Sequence, residues 1–275
     1  GACQPFNWSL LQMLTRTLAA VFAALVALPA SAYTVDGNLT DWGINPSTYL
    51  PGSQIKGYTI DKDSTGGSGA YVNPGWGGQA YDAEALYVDV VGGTLYLALI
   101  TGHNPAMTNS NGWAPGDFLI DFGRDGTFEY GLKTTGANRG SLLKINKESD
   151  LNFGLFNDQG TPYPGGRNAV SIKEKKGALI PGNTSLATSG PFTGYGIYTN
   201  DVHYAYEASI DLTLFDPKYS GMAFDVQWAM QCGNDIITAD PIAGSVPEPT
   251  SLALFGLALV GLGVSRRRCN RVALA

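Results

Sequence analysis

Trp76 and Trp113 sit in stretches rich in Gly, Pro and Asn, where an indole ring can stand in solvent. Sugars present flat C–H faces, so an exposed indole or phenol can stack on them while carboxylates and amides take the hydroxyls. The same two rings could instead plug the ends of a β core, the place expected for Trp42 and Trp228. Asp121, Asp125 and Glu129 form a second set. Asp-x-x-x-Asp-Gly across a turn can offer oxygen ligands to Ca²⁺, although it is not the Asp-x-Asp-x-Asp-Gly order of an EF-hand. The competing reading makes Asp125 a turn builder and puts Glu129 on a solvated strand face. Asp36 and Asp41 form a weaker pair, read as a turn and an Asx cap.

Nucleophilic chemistry has little to work with. His103 and His203 are the only histidines. Neither lies in G-x-S-x-G or H-E-x-x-H. Cys232 could pair with either histidine, but a lone cysteine at the end of a strand reads first as a small buried hydrophobe. The chain is therefore expected not to be an enzyme, with no assigned cofactor beyond the Ca²⁺ option. A secreted polysaccharide-active enzyme is the alternative, because paired carboxylates abound.

The elements that must position these residues read as strands. Residues 85–91 and 94–101 flank Gly92-Gly93, a hairpin whose turn needs the positive φ that glycine supplies. Residues 117–122 and 127–133 flank a turn containing Asp125-Gly126, a second hairpin. Further strands are expected at 141–146, 153–156, 193–199, 203–212 and 223–230. In 203–212, Tyr204, Tyr206, Ala208 and Ile210 alternate with Ala205, Glu207, Ser209 and Asp211, so one face should be buried and the other solvated. Residues 51–80, 158–168 and 177–192 read as long loops, and Phe215 to Tyr219 as a short helical turn. No long amphipathic helical period is present. The expected fold is all-β, a single antiparallel β-sandwich over 33–244.

Composition agrees. Residues 33–245 carry 12 Lys and Arg against 22 Asp and Glu, a net charge of −10. Such a surface repels phosphate backbones, so nucleic acid is excluded as an expected partner. Cys232 is the lone cysteine of that stretch, so no internal disulfide can staple it.

The opening Val35-Asp36-Gly37-Asn38-Leu39-Thr40-Asp41-Trp42 resembles the start of family-9-type carbohydrate-binding modules and related DOMON-like domains. Gly78-Gln79-Ala80-Tyr81-Asp82-Ala83-Glu84-Ala85-Leu86-Tyr87 and Trp228-Ala229-Met230-Gln231-Cys232-Gly233-Asn234-Asp235 are the other blocks of that resemblance. It implies a sandwich and, from it, a glycan ligand. No clear pair of ligand-sandwiching tryptophans and no complete metal loop is present.

The two ends differ from the middle. Met13 reads as the start, which makes residues 1–12 an upstream non-native extension. Arg16, the apolar run 18–28 and Ala30-Ser31-Ala32 follow the three-part order of a secretory signal over 13–32, with cleavage after Ala32. At the other end Val246-Pro247-Glu248-Pro249 precedes the uncharged, mostly apolar run 250–264. Arg266-Arg267-Arg268 then hold the cytoplasmic side, and 269–275 forms a short basic tail. Fifteen helical residues reach ~22 Å, short of a ~30 Å hydrocarbon core, which suits a transient inner-membrane anchor. The two prolines keep the preceding segment extended for a processing enzyme.

The segment 245–268 resembles the PEP-CTERM sorting domain. The resemblance implies recognition by an exosortase at Val246-Pro247-Glu248-Pro249, after a signal peptidase has removed the leader. It also implies a cell-surface or matrix protein that meets extracellular polysaccharide, in biofilm- or floc-forming Gram-negative bacteria. The expected architecture is thus a sandwich flanked by a signal helix and a C-terminal hydrophobic helix.

Overall fold

Gly92 and Gly93 take φ of 60° and 86° and join strands β4 (Ala83–Val91) and β5 (Thr94–Thr101) in the two-residue hairpin that the sequence expects. The computed structural model describes residues 33–61, 68–110, 112–156 and 168–241. The signal segment with Ala30 and Ala32, the motif Val246 to Pro249, and Arg266, Arg267 and Arg268 lie outside the described residues. The expected terminal helices lie there too. Among the described residues no helix is long and apolar enough to cross a membrane.

The described chain is mostly β, arranged in antiparallel sheets. One sheet has five strands: β1 (Gly57–Ile60), β4, β5, β13 (Tyr204–Asp211) and β12 (Thr184–Thr188). A six-stranded sheet runs β11 (Ala178–Ile180), β8 (Leu142–Lys144), β7 (Tyr130–Leu132), β6 (Phe118–Phe122), β14 (Phe224–Ala229), β15 (Ile236–Ala239). Two small pairs complete it: β2 (Ser68–Tyr71) with β3 (Trp76–Gly78), and β9 (Leu151–Phe153) with β10 (Ala169–Ile172).

The two larger sheets share one buried cluster. Leu86, Val88, Leu97 and Tyr206 of the first meet Phe118, Ile120 and Trp228 of the second. Alternation supplies these residues, since every second side chain of a strand points the same way. The other face of the five-stranded sheet is also covered. Ala85, Tyr87, Ala98 and Ala205 pack under Tyr33, Leu39, Trp42 and Ile55 of the N-terminal segment. Hence the expectation that β13 leaves one face in water fails. Glu207 on that face is buried, and its carboxylate accepts Trp42 Nε1 at 2.8 Å and the Gly37 amide at 2.6 Å. Gly37 has φ 86°, and a Cβ there would stand 2.9 Å from the Thr188 carbonyl, so only glycine fits.

Other local expectations also shift. Residues 51–80 and 177–192 are not plain loops, since they hold β1, β2, β3, β11 and β12. β10 and β15 were not expected, and residues 193–199 form no strand. Gly194 and Gly196 there take φ of 92° and 66°, outside the β region. β7 is shorter than 127–133 because side chains replace the ladder. Asp121 accepts the amides of Asp125 and Gly126, and Glu129 accepts that of Phe122. A short 3₁₀ turn at Pro217–Tyr219 matches the expected helical turn.

Candidate cleft at the edge of the five-stranded sheet

A cleft of about 700 Å³ opens where β1 and the start of β4 meet two loops. Its aromatic walls are Tyr49, Tyr58, Tyr195 and Tyr198. Tyr58 belongs to β1 and is partly exposed, as is Tyr198. The first loop is pinned by Asn45, whose amide donates to the Leu50 carbonyl at 2.8 Å and whose side chain accepts the Ser47 amide at 2.9 Å. That turn puts Tyr49 at φ 58°, a left-handed conformation costing about 1 kcal/mol for a non-glycine residue. Its carbonyl accepts the Tyr87 hydroxyl at 2.6 Å. The second loop joins the first through the Gly196 amide, which donates to the Pro46 carbonyl at 2.9 Å. A Cβ at Gly196 would press on the Tyr49 hydroxyl at 2.9 Å. Ile197 caps this rim at 75% exposure.

The inner wall is polar. Glu84 is the second residue of β4, a mostly apolar strand, and is buried. One of its oxygens lies 2.8 Å from His203 Nδ1 and accepts Gln79 Nε2 at 2.6 Å. The other accepts the Tyr49 hydroxyl. Burial, then the adjacent Glu84 charge, pushes the Tyr49 phenol far above its ordinary range, so it stays protonated and donates. Burial also raises the Tyr195 phenol. His203 is 2% exposed, and its Nε2 has no hydrogen-bond partner among the described residues. Asp61, Asp82 and Asp201 line the same cleft.

The residues singled out by sequence fall elsewhere. Trp76 is 48% exposed and Trp113 37%. Trp76 packs edge-on against Tyr71 at 5.5 Å and near Phe156 at 6.0 Å, an aromatic patch on the β2–β3 pair. Among the described residues no ring pairing includes Trp113. Tyr81 lies between the two segments, with its ring against Gly77 and its hydroxyl near Gly112. Trp42 and Trp228 are buried, as the sequence expects.

Asp121, Asp125 and Glu129 are close enough to raise the Glu129 carboxyl, although burial is the larger cause. Four of their six oxygens accept backbone amides of β6 and the β6–β7 turn, Asp125 Oδ1 taking Thr127 N at 2.9 Å. Among the described residues no group of three or more His, Cys, Asp or Glu is arranged to hold a metal ion. Asp36 builds a local turn by accepting the Asn38 amide, whereas Asp41 accepts the Thr34 amide seven residues away and the Asx cap of the short helix is Asn38.

Cys232 is fully buried and its thiol is pushed up to about 12, chiefly by burial. Such a thiol is a poor nucleophile at neutral pH. His103 is buried too, with Nδ1 at 3.0 Å from the Ala80 carbonyl, and burial lowers its basicity.

Sequence reasoning passed over the cleft because its tyrosines come from distant segments. The available signals were Glu84 within a mostly apolar strand and His203 just before another.

Comparison with curated proteins and with solved structures gives no match. The PEP-CTERM protein-sorting motif matches residues 245–268, so this chain carries the sorting tail of an exported protein handled by an exosortase and destined for the cell surface or beyond.

Proposed function

We propose that this chain is a surface- or matrix-associated protein whose β domain, packed as a sandwich, binds extracellular polysaccharide in the tyrosine-lined cleft. The observation that carries this reading is the cleft itself: four tyrosine rings around a floor of fixed hydrogen-bonding groups. Phenol rings stack on sugar C–H faces, and the polar floor takes hydroxyls. The Trp76–Tyr71–Phe156 patch is a second stacking surface for the same polymer, and Trp113 adds a further exposed ring. The domain acts by binding and not by catalysis. In support, Cys232 is protonated and buried, and both oxygens of Glu84 are engaged. No cofactor is needed. Ca²⁺ at Asp121, Asp125 and Glu129 would have to compete with backbone amides for the same oxygens.

A signal peptidase and an exosortase are the processing partners, with transient insertion in the inner membrane. Mass spectrometry of the secreted chain tests this. Tyr33 should be its first residue, and residues 252–268 should be missing. A pull-down of the exported protein with polysaccharide from the producing cells tests binding. Tyr58→Ala and Tyr198→Ala should each cut retention about tenfold, at ~1.4 kcal/mol per stacked ring. Unchanged retention in both variants would sink the cleft as the binding site.

The second reading is a glycan-cleaving enzyme, favoured by the several carboxylates that share the cleft. New reducing ends during incubation with the same polysaccharide would establish it.

A further inference from the structure

We infer that the cleft reads cationic amino sugars, that is, a polysaccharide carrying free ammonium groups; the inference rests on the glycan-binding role proposed above. Three features converge on it.

The first is charge. Asp61, Asp82, Glu84 and Asp201 all line the cleft, and none of the described lining residues is Lys or Arg. Counting His203 as a cation still leaves three carboxylates in excess. Walls of low polarity around one sign of charge focus the field on the space between them. A uronate polymer is repelled there, and an ammonium is drawn in.

The second is hydrogen-bond polarity. His203 Nδ1 faces the Glu84 carboxylate at 2.8 Å, so Nδ1 is the nitrogen that carries the proton. In the neutral ring Nε2 is then an acceptor, and among the described residues it is buried without a partner. The carboxylates of the lining make the cleft rich in acceptors. Its complement is a ligand rich in donors, with –OH and –NH₃⁺ groups.

The third is the rings. Tyr49 and Tyr195 stand 5.9 Å apart at a tilt of 45° and remain neutral phenols, and Tyr58 and Tyr198 are accessible beside them. Neutral phenol faces attract cations as well as C–H surfaces, and the pull grows where water is excluded. An amino sugar presents both, one on each edge of the ring.

Calorimetric titration of the exported protein tests this. The probes are a β-1,4-linked glucosamine tetrasaccharide, its fully N-acetylated counterpart, a galacturonate tetrasaccharide and spermine. At low salt the amine form should bind about tenfold tighter than the acetylated form. That gap should close at high salt, where charges are screened beyond ~3 Å. Asp201→Lys should abolish the preference for the amine form, since it replaces a half-buried carboxylate of the cleft lining with a cation. Equal binding of amine and acetylated forms, or tighter binding of the galacturonate, overturns the inference and leaves glycan binding intact. Spermine binding as tightly as the amino sugar also overturns it, because bulk charge would then suffice. Failure of all three oligosaccharides to bind removes the glycan-binding role and this inference together.

Discussion

Glu84 and His203 meet at 2.8 Å across the seam between β4 and the residue that precedes β13, 119 positions apart in the chain. Their contact closes the inner wall of the cleft. Gln79 and Tyr49 donate to the same carboxylate, so one side chain organises three others. Glu84→Ala would take their acceptor from Tyr49 and His203 and leave Gln79 only the Val202 carbonyl at 3.3 Å, at about 1–3 kcal/mol for each lost bond and less than additively. A net loss of about 3 kcal/mol is expected, a fall of roughly 10 °C in Tm for a domain of this size. Differential scanning calorimetry checks it. A Tm within about 2 °C of the parent would mean that the network does not hold the wall.

The Lys133–Asp117 pair lies in the interior, at 3.0 Å with side-chain exposures of 5% and 0%. Asp117 also accepts the Thr134 and Ile172 amides, and Lys133 donates to the Ile172 carbonyl. It therefore ties β7 to β10. Lys133→Met alone strands a buried carboxylate and should cost ~3–5 kcal/mol, whereas Lys133→Met with Asp117→Leu should recover part of that loss. Denaturant unfolding of the two variants measures the difference. A double variant less stable than the single one would contradict the account.

The N-terminal segment hangs on Glu207. Its carboxylate takes Trp42 Nε1, Gly37 N and, at 3.2 Å, Asp36 N. Glu207→Ala should expose the face of β13 that this segment covers and raise amide exchange across residues 33–43. The expected loss of stability is about 2–4 kcal/mol. Trp42→Phe keeps most of the buried ring area and should cost about half as much. Exchange mass spectrometry separates the two variants, and unchanged protection of 33–43 in Glu207→Ala would argue against this anchoring.

Asp235 sets a pH dependence. Burial raises its carboxyl well above 3.8, and the Asp82 and Asp61 charges push the same way. A raised acid holds its proton longer in the folded chain than in the unfolded one. Its contribution to stability is therefore complete below about pH 4 and is lost as pH rises through the folded value. Asp117, Glu129, Glu207 and Asp225 are raised as well and share this sign. His103, lowered by burial, opposes it below about pH 6.5. Asp235→Asn stays neutral at every pH, so its stability should fall less steeply than the parent's, by up to ~1.4 kcal/mol per pH unit. Unfolding midpoints followed from acid to neutral pH compare the two slopes. Parallel curves would show that Asp235 does not titrate in this range.

Legibility in the sequence followed the strength of local turn chemistry. Gly92-Gly93 located the β4–β5 hairpin to the residue, and the alternation of 203–212 located β13. Asp125-Gly126 located the β6–β7 connection but not its length, because Asp121 and Glu129 bind backbone amides that a ladder would otherwise use. β1, β2 and β3 hid among glycines, in strands of three or four residues too short for a period to show. The loop context of Trp76 and Trp113 left exposed rings and core plugs both open, and the structure exposes the two rings. The tyrosine cleft was not anticipated, since Tyr49 and Tyr58 meet Tyr195 and Tyr198 through tertiary packing alone.

Hydrogen–deuterium exchange of the exported protein, with and without polysaccharide from the producing cells, tests the binding account most directly. Protection is expected at residues 47–50, 58–61, 79–84 and 195–203, the four segments that line the cleft. Protection confined to the β2–β3 pair around Trp76, or none anywhere in the β domain, would contradict it.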